Sequence, residues 1–149
     1  DYMDLTILIP VKNEINNIES IIKKIESVID INYEILFVND FSQDGSLDLL
    51  KKKELSNNKI KVINNKKRGL GETIRNGIKN ANGKFFTILM CDGADDLNDL
   101  KIYFDTINNE NLDAVFGSRF IKNSKIVEYP KIKMMFNSLL IGLDLVLMI

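Results

Sequence analysis

Short apolar runs alternate with segments of helical periodicity along this chain, and that alternation restricts it to an α/β architecture with a mainly parallel sheet. Residues 5–9 (Leu-Thr-Ile-Leu-Ile) form a continuous apolar run ended by Pro10, the pattern of a strand covered on both faces. Ile15, Ile18, Ile21, Ile22, Ile25, Val28 and Ile29 then recur at helical spacing. A second strand over 34–38 ends in Asn39-Asp40, and a helix follows from Asp44 or Ser46, both favourable N-caps. A third strand over 59–63, a helix over 71–81, a fourth strand over 84–90, a helix over 97–107 and a fifth strand over 113–116 complete the series. Gly83, in the turn Ala81-Asn82-Gly83, is expected at the C′ position of the third helix. A length of 149 residues suits one domain with one core, so the whole chain, 1–149, is read as a single domain.

Several chemistries are excluded by composition. With no histidine, neither a Ser-His-Asp arrangement nor a histidine metal site can form. A single cysteine, Cys91, excludes intrachain disulfides and zinc clusters, and such usage fits a reducing, cytoplasmic setting. The net charge of −1 gives no general footprint for nucleic acid, and the runs Lys51-Lys52-Lys53 and Lys66-Lys67-Arg68 read first as solvated surface. Hard-cation chemistry through carboxylates stays open, with 21 acidic residues to supply it.

In a parallel sheet, ligands bind beyond the carboxyl ends of the strands. Here the strands run out into Pro10-Val11-Lys12-Asn13-Glu14, Asn39-Asp40-Phe41-Ser42-Gln43-Asp44-Gly45, Lys66-Lys67-Arg68-Gly69-Leu70-Gly71, Cys91-Asp92-Gly93-Ala94-Asp95-Asp96 and Gly117-Ser118-Arg119. Turn and capping chemistry explains any one of these loops, but not all five gathered at one edge. Carboxylates crowded after the fourth strand repel one another unless a cation is present, and Mg²⁺ or Mn²⁺ bound with phosphate oxygens is the natural solution. Asp92 is the first candidate ligand; Asp95 and Asp96 are either supporting ligands or caps of the following helix. Gly69 and Gly71 allow close backbone approach at a helix N-terminus that attracts anions, and the planar fork of Arg119 suits phosphate oxygens.

The order of these motifs resembles the family 2 glycosyltransferases. Ile7-Leu8-Ile9-Pro10-Val11-Lys12-Asn13-Glu14 is similar to their opening hhIPhxNE pattern, and 37–46 to their VDDxSxDGT segment. Arg68-Gly69-Leu70-Gly71 with Gly77 and Ala81-Asn82-Gly83 resembles their GLGxAxxxGxxxAxG segment, and Gly117-Ser118-Arg119-Phe120 their GSRY/F element. The branch most resembled holds dolichol-phosphate mannose synthase and bacterial polyprenyl-phosphate glycosyltransferases. The resemblance implies a GT-A, Rossmann-like fold, a UDP- or GDP-sugar donor, a Mg²⁺ or Mn²⁺ cofactor and a polyprenyl phosphate acceptor. It implies that Pro10, Glu14 and Asp40 line the nucleoside pocket while Asp44 shapes its turn. Asn13, Asn39, Arg68, Gly69 and Gly71 join these as donor-binding candidates. Asp92 would hold the metal, with Asp95 or Asp96 in support, and Arg119 would face the phosphates. Asn39 departs from the usual Asp, and Asp92-Gly93-Ala94-Asp95-Asp96 is not a plain Asp-x-Asp.

Asp1 in place of Met, and an apolar run over 134–149 in which the chain stops, fit a truncated piece lacking its acceptor-side elements. That run is too short and too polar for a transmembrane helix, and reads as a core helix or as a peripheral membrane contact at the inner, cytoplasmic face. Rival readings fit less well. Nucleotidyl transfer needs a Gly-rich basic loop after the first strand, and a phospho-receiver needs an acid where Lys66-Lys67-Arg68 stands. A truncated donor-binding domain without activity is the remaining alternative.

Overall fold

The structure is a computed structural model that describes residues 3–115. Its elements follow one another as β1 (Leu5–Val11), α1 (Ile18–Val28), β2 (Tyr33–Asn39), α2 (Ser46–Ser56), β3 (Ile60–Asn64), α3 (Leu70–Ile78), β4 (Phe85–Ile88) and α4 (Leu97–Asn109). The four strands form one sheet of order β3-β2-β1-β4, every pair parallel. The expected α/β sheet flanked by helices is therefore present. Of the expected fifth strand, Val115 makes a single β-bridge and Phe116 lies outside the described residues.

Strand alternation sorts the core into two layers. Leu5, Ile7, Ile9 and Val11 share one face with Ile35, Phe37, Ile60 and Val62, and pack with Ile18, Ile21, Ile22 and Ile25 of α1, Leu50 of α2 and Leu100 of α4. Leu8, Leu36 and Val38 form a smaller layer on the other face. There α3 lies close because Gly77 has no side chain: a Cβ would sit 2.2 Å from Leu8 Cδ1.

Several boundaries differ from the sequence expectation, each for a local reason. Pro10 does not end β1, which continues to Val11. Val11 O accepts from Asp40 N on the β2 side, whereas Leu8 O accepts from Leu89 N on the β4 side. Even-numbered residues of β1 thus face β4, whose pairing stops at Leu8↔Ile88, so the donor Pro10 lacks falls where no partner strand runs. The first helix starts at Ile18 instead of Ile15, because Glu14 O accepts from both Asn17 N and Ile18 N in a preceding turn. Neither Asp44 nor Ser46 is the N-cap of α2. Gly45 is, in a left-handed conformation (φ 90°), while Asp44 takes the Ser46 N–H. The third helix ends at Ile78, so Gly83 is not its C′ residue. Glycine is needed at 83 because a Cβ would lie 2.5 Å from Thr6 N and 2.6 Å from Leu5 C, against the backbone of β1.

Candidate functional site

Running β1→β2→β3 outward and then returning to β4 on the far side of β1 creates a switch point between β1 and β4. The loops leaving β1 and β4 part there, and Glu14, Cys91 and Asp92 come together. Burial first, then the charges of Glu14 and Asp92, push the Cys91 thiol up to about 12, leaving a neutral and inert sulfur.

The loops after β1 and β2 are sewn to each other. Asn13, at φ 59°, donates its N–H to Ser42 Oγ (3.0 Å) and accepts from Gln43 N at Oδ1 (2.8 Å). Glu14 N donates to Ser46 Oγ (2.9 Å), and the Ser46 hydroxyl donates in turn to Asp44 Oδ1 (2.6 Å). Asp44 Oδ2 accepts from Ile15 N (3.0 Å), so one carboxylate ties both loops. The Ser46 hydroxyl, with the N–H groups of Ile15 and Ser46 and against some burial, holds the Asp44 carboxyl below its ordinary value. Asn39 accepts from Ser42 N at Oδ1 and donates Nδ2 to Asn64 Oδ1 (2.9 Å). The Asn39 amide thus both accepts and donates, joining the loop after β2 to the end of β3.

Asp40 is buried, 5% exposed, and its carboxylate accepts from Gly69 N (3.1 Å to Oδ2) and Asn65 Nδ2 (3.1 Å to Oδ1), with Lys12 Nζ 3.9 Å away. Asn65 also donates to Thr73 Oγ1 (3.0 Å) and to the Lys67 carbonyl. Gly69, at φ 119°, is the N-cap of α3. The free anion slot expected at this N-terminus is thus already shared with the protein's own carboxylate. Gly71, one turn position on, has only Arg75 near a notional Cβ and leaves this face of α3 bare.

The acidic loop after β4 divides its labour. Asp96 is the N-cap of α4, accepting from Asn98 N (2.9 Å) and Asn98 Nδ2 (2.9 Å). Asp95 Oδ2 accepts from Met90 N (3.2 Å). Lys24 of α1 donates to the carbonyls of Gly93 and Asp95 (3.1 Å each) and fastens the loop from below. Asp92 is exposed; Oδ1 accepts from Ala94 N (3.0 Å), and Oδ2 accepts no hydrogen bond from the described residues. No three His, Cys, Asp or Glu side chains among the described residues group as a metal site by themselves. One free carboxylate still suits Mg²⁺ or Mn²⁺, which bind through one or two carboxylates and complete their shell with phosphate oxygens and water.

Arg119, with the rest of the Gly117-Ser118-Arg119 element, lies outside the described residues, as does the apolar run 134–149. The remaining sequence candidates, Pro10, Asn13, Glu14, Asn39, Asp40, Asp44, Arg68, Gly69, Gly71, Asp92, Asp95 and Asp96, all lie in or beside the four strand-end loops. Sequence reasoning missed Asn65 and Lys24: Asn65 is a polar residue in a loop-like stretch and Lys24 one lysine among several on α1, so nothing local marked them. Ser46, expected as an N-cap, instead bridges Glu14 N and Asp44. A cavity of about 310 Å³ lies elsewhere, at the opposite end of the sheet beside Leu5, Ile29, Leu100 and Phe104, where the loops do not gather. No helix of the described residues is long and apolar enough to cross a membrane.

Comparison with known proteins bears on the family and the fold. The model of Glycosyl transferase family 2 matches residues 6–146. Dolichol-phosphate mannosyltransferase of Pyrococcus furiosus is 31% identical over 131 residues, 86% of this chain and 36% of its own length. The crystal structure of Staphylococcus aureus TarS 1–349 superposes with a TM-score of 0.68 at 21% identity, covering 85% of this chain and 39% of that one. The mannosyltransferase PcManGT of Pyrobaculum calidifontis, solved with GDP-Man and Mn²⁺, gives 0.54 at 20% identity over 59% of this chain and 27% of its own. Against its curated relatives the chain spans about a third of their length or less.

Proposed function

Because the chain belongs to glycosyl transferase family 2, we propose that it forms the donor-binding part of an enzyme that moves a sugar from a nucleoside-diphosphate sugar to a phosphate-bearing acceptor. The observation that carries this reading is the exposed Asp92 carboxylate with an Oδ2 free among the described residues, at the switch point near Glu14 and at the same sheet end as the loops tied together by Asn13, Asp44 and Asp40. GT-A relatives solved with Mn²⁺ and a nucleotide-sugar support the cofactor.

Asp92 would hold the divalent cation, with Asp95 its nearest support and Asp96 already committed to capping α4. A cation there supplies positive charge against the diphosphate as it leaves. Pro10, Glu14 and Asp40 would line the nucleoside pocket, with Asn13, Asn39, Arg68, Gly69 and Gly71 around it and Asp44 fixing its loop. Arg119 would face the phosphates. In the reaction the acceptor oxygen bonds to the sugar's anomeric carbon as that carbon's bond to the diphosphate breaks. An acceptor phosphate is anionic at neutral pH and needs no strong base to deprotonate it, which suits a chain without histidine.

The finer reading is a polyprenyl phosphate acceptor, supported by the likeness to the Pyrococcus dolichol-phosphate mannosyltransferase, with the cytoplasmic face of a membrane as its proposed setting. Calorimetry with UDP and GDP tests the core of the proposal. Binding should tighten at least tenfold with Mn²⁺, and Asp92→Ala should remove that gain. Equal affinity with and without Mn²⁺, unchanged in Asp92→Ala, would overturn it.

A further inference from the structure

We infer that Phe41, paired with Arg68, is the stacking platform for the donor's nucleobase and so a determinant of nucleotide affinity; this rests on the donor-binding reading above. Phe41 sits at φ 57°, a left-handed conformation that a bulky side chain adopts at a cost and glycine adopts freely. Core packing does not offset that cost, because the residue is 42% exposed. Hydrogen bonds hold the backbone on both sides of it. Asp40 N is bonded to Val11 O (2.8 Å), and Ser42 N to Asn39 Oδ1 (3.2 Å). A conformation strained and enforced from both sides, on a ring left at the surface, is the pattern of a group held out for a ligand.

The neighbour makes the ligand's chemistry specific. The Arg68 guanidinium lies over the Phe41 ring, 5.3 Å from its centroid. Arg68 comes from the loop after β3, and the next residue, Gly69, donates its N–H to Asp40, the residue before Phe41. The aromatic ring and the cation therefore come from two strand-end loops that are tied to each other at the buried Asp40 carboxylate. Flat π and guanidinium surfaces bind flat heteroaromatic rings, since every nucleobase offers a π face. Phosphate oxygens could meet the guanidinium alone, so it is the aromatic ring beside it that singles out a flat base.

Strain and function separate in one substitution. Phe41→Gly should unfold at the same temperature as the parent chain or higher, because the backbone strain is relieved. The same variant should bind UDP and GDP with Mn²⁺ about tenfold more weakly. Its affinity for inorganic pyrophosphate with Mn²⁺ should not change, and Phe41→Tyr should bind the nucleotides like the parent. Nucleotide affinity unchanged in Phe41→Gly would overturn the inference alone. So would a lowered melting temperature with nucleotide and pyrophosphate affinity falling together, which would mark Phe41 as a structural residue. A parent chain that binds no nucleoside diphosphate would overturn the donor-binding reading, and the stacking role with it.

Discussion

Both ends of the sheet bury an acid, but they use it in opposite ways. At the amino ends of the strands, Glu34 is 1% exposed. Its oxygens accept from Thr6 Oγ1 (2.7 Å), Asn82 N (2.8 Å), Asn82 Nδ2 (2.9 Å) and Lys61 Nζ (2.9 Å). At the carboxyl ends, Asp40 is nearly as buried, but its partners are the N–H of a glycine, an asparagine and a distant lysine; Phe41 next to it is exposed, as is Asp92 at the same end of the sheet. The first end closes off its acid with its own side chains. The other keeps an oxygen, an aromatic face and a bare helix turn for something else. The cost of a substitution in stability should therefore fall from the first end to the second, while its cost in ligand binding rises.

The largest effect on stability is expected at Glu34. Glu34→Ala leaves the Thr6 hydroxyl and the Asn82 amide without their acceptor and Lys61 without its anion, a loss of about 3 kcal/mol. Burial raises the Glu34 carboxyl, but hydrogen bonds from Lys61, Thr6 and Asn82 outweigh it and hold it below the ordinary value of 4.5. A lowered folded value means stability that is fully present above 4.5 and is lost as pH falls through the folded value. Urea unfolding of the parent chain should therefore weaken below about pH 4.5 with a contribution that Glu34→Gln abolishes. An acid limb of the same depth in Glu34→Gln would show that the closed end is not where the charge is stored.

Gly77 comes next, in the middle of the sheet. In Gly77→Ala the new methyl overlaps Leu8, whose Cδ1 and Cγ lie 2.2 and 2.6 Å from it. Overpacking costs about 1–3 kcal/mol, and the better helix propensity of alanine returns up to about 1 kcal/mol. A net loss of about 1–2 kcal/mol is expected in chemical denaturation, with nucleotide affinity unchanged. A stabilised variant would mean that α3 is free to move off β1.

How much of this was readable beforehand depends on how far apart the partners lie in the chain. Strands covered on both faces must be apolar throughout, so β1, β2 and β4 announced themselves. The acidic and glycine loops that follow them were equally plain. Features that depend on contacts distant in sequence were not. Gly83 stands one turn after a helix and looks like its C′ residue, yet what demands glycine there is the backbone of Thr6, 77 residues away in bonding. Asn65 reads as one more loop asparagine, although it joins Asp40 to Thr73. Glu34 opens an apolar run and gives no sign of the lysine and asparagine it binds. Asp95 and Asp96 were indistinguishable in sequence, because a cap and a ligand want the same carboxylate at the same place; only the Asn98 bonds to Asp96 separate them.

The smallest effect on stability belongs to Asp92, and it is the sharpest test of the contrast. The side chain is exposed and makes one hydrogen bond among the described residues, to Ala94 N. Asp92→Ala removes that turn contact and one negative charge from a loop already holding Asp95 and Asp96. Lost contact and relieved repulsion oppose each other, so stability should stay within about 0.5 kcal/mol of the parent, as for ordinary surface positions. Thermal unfolding should then show the difference only when ligand is added. Mn²⁺ with a nucleoside diphosphate at 100 times its dissociation constant raises the parent's stability by about 2.7 kcal/mol, and an Asp92→Ala variant that binds about tenfold more weakly should lose about half of that increment. An unliganded Asp92→Ala that is clearly less stable would place this carboxylate in the closed, structural class with Glu34. The acid standing free at the switch point would then be part of the scaffold.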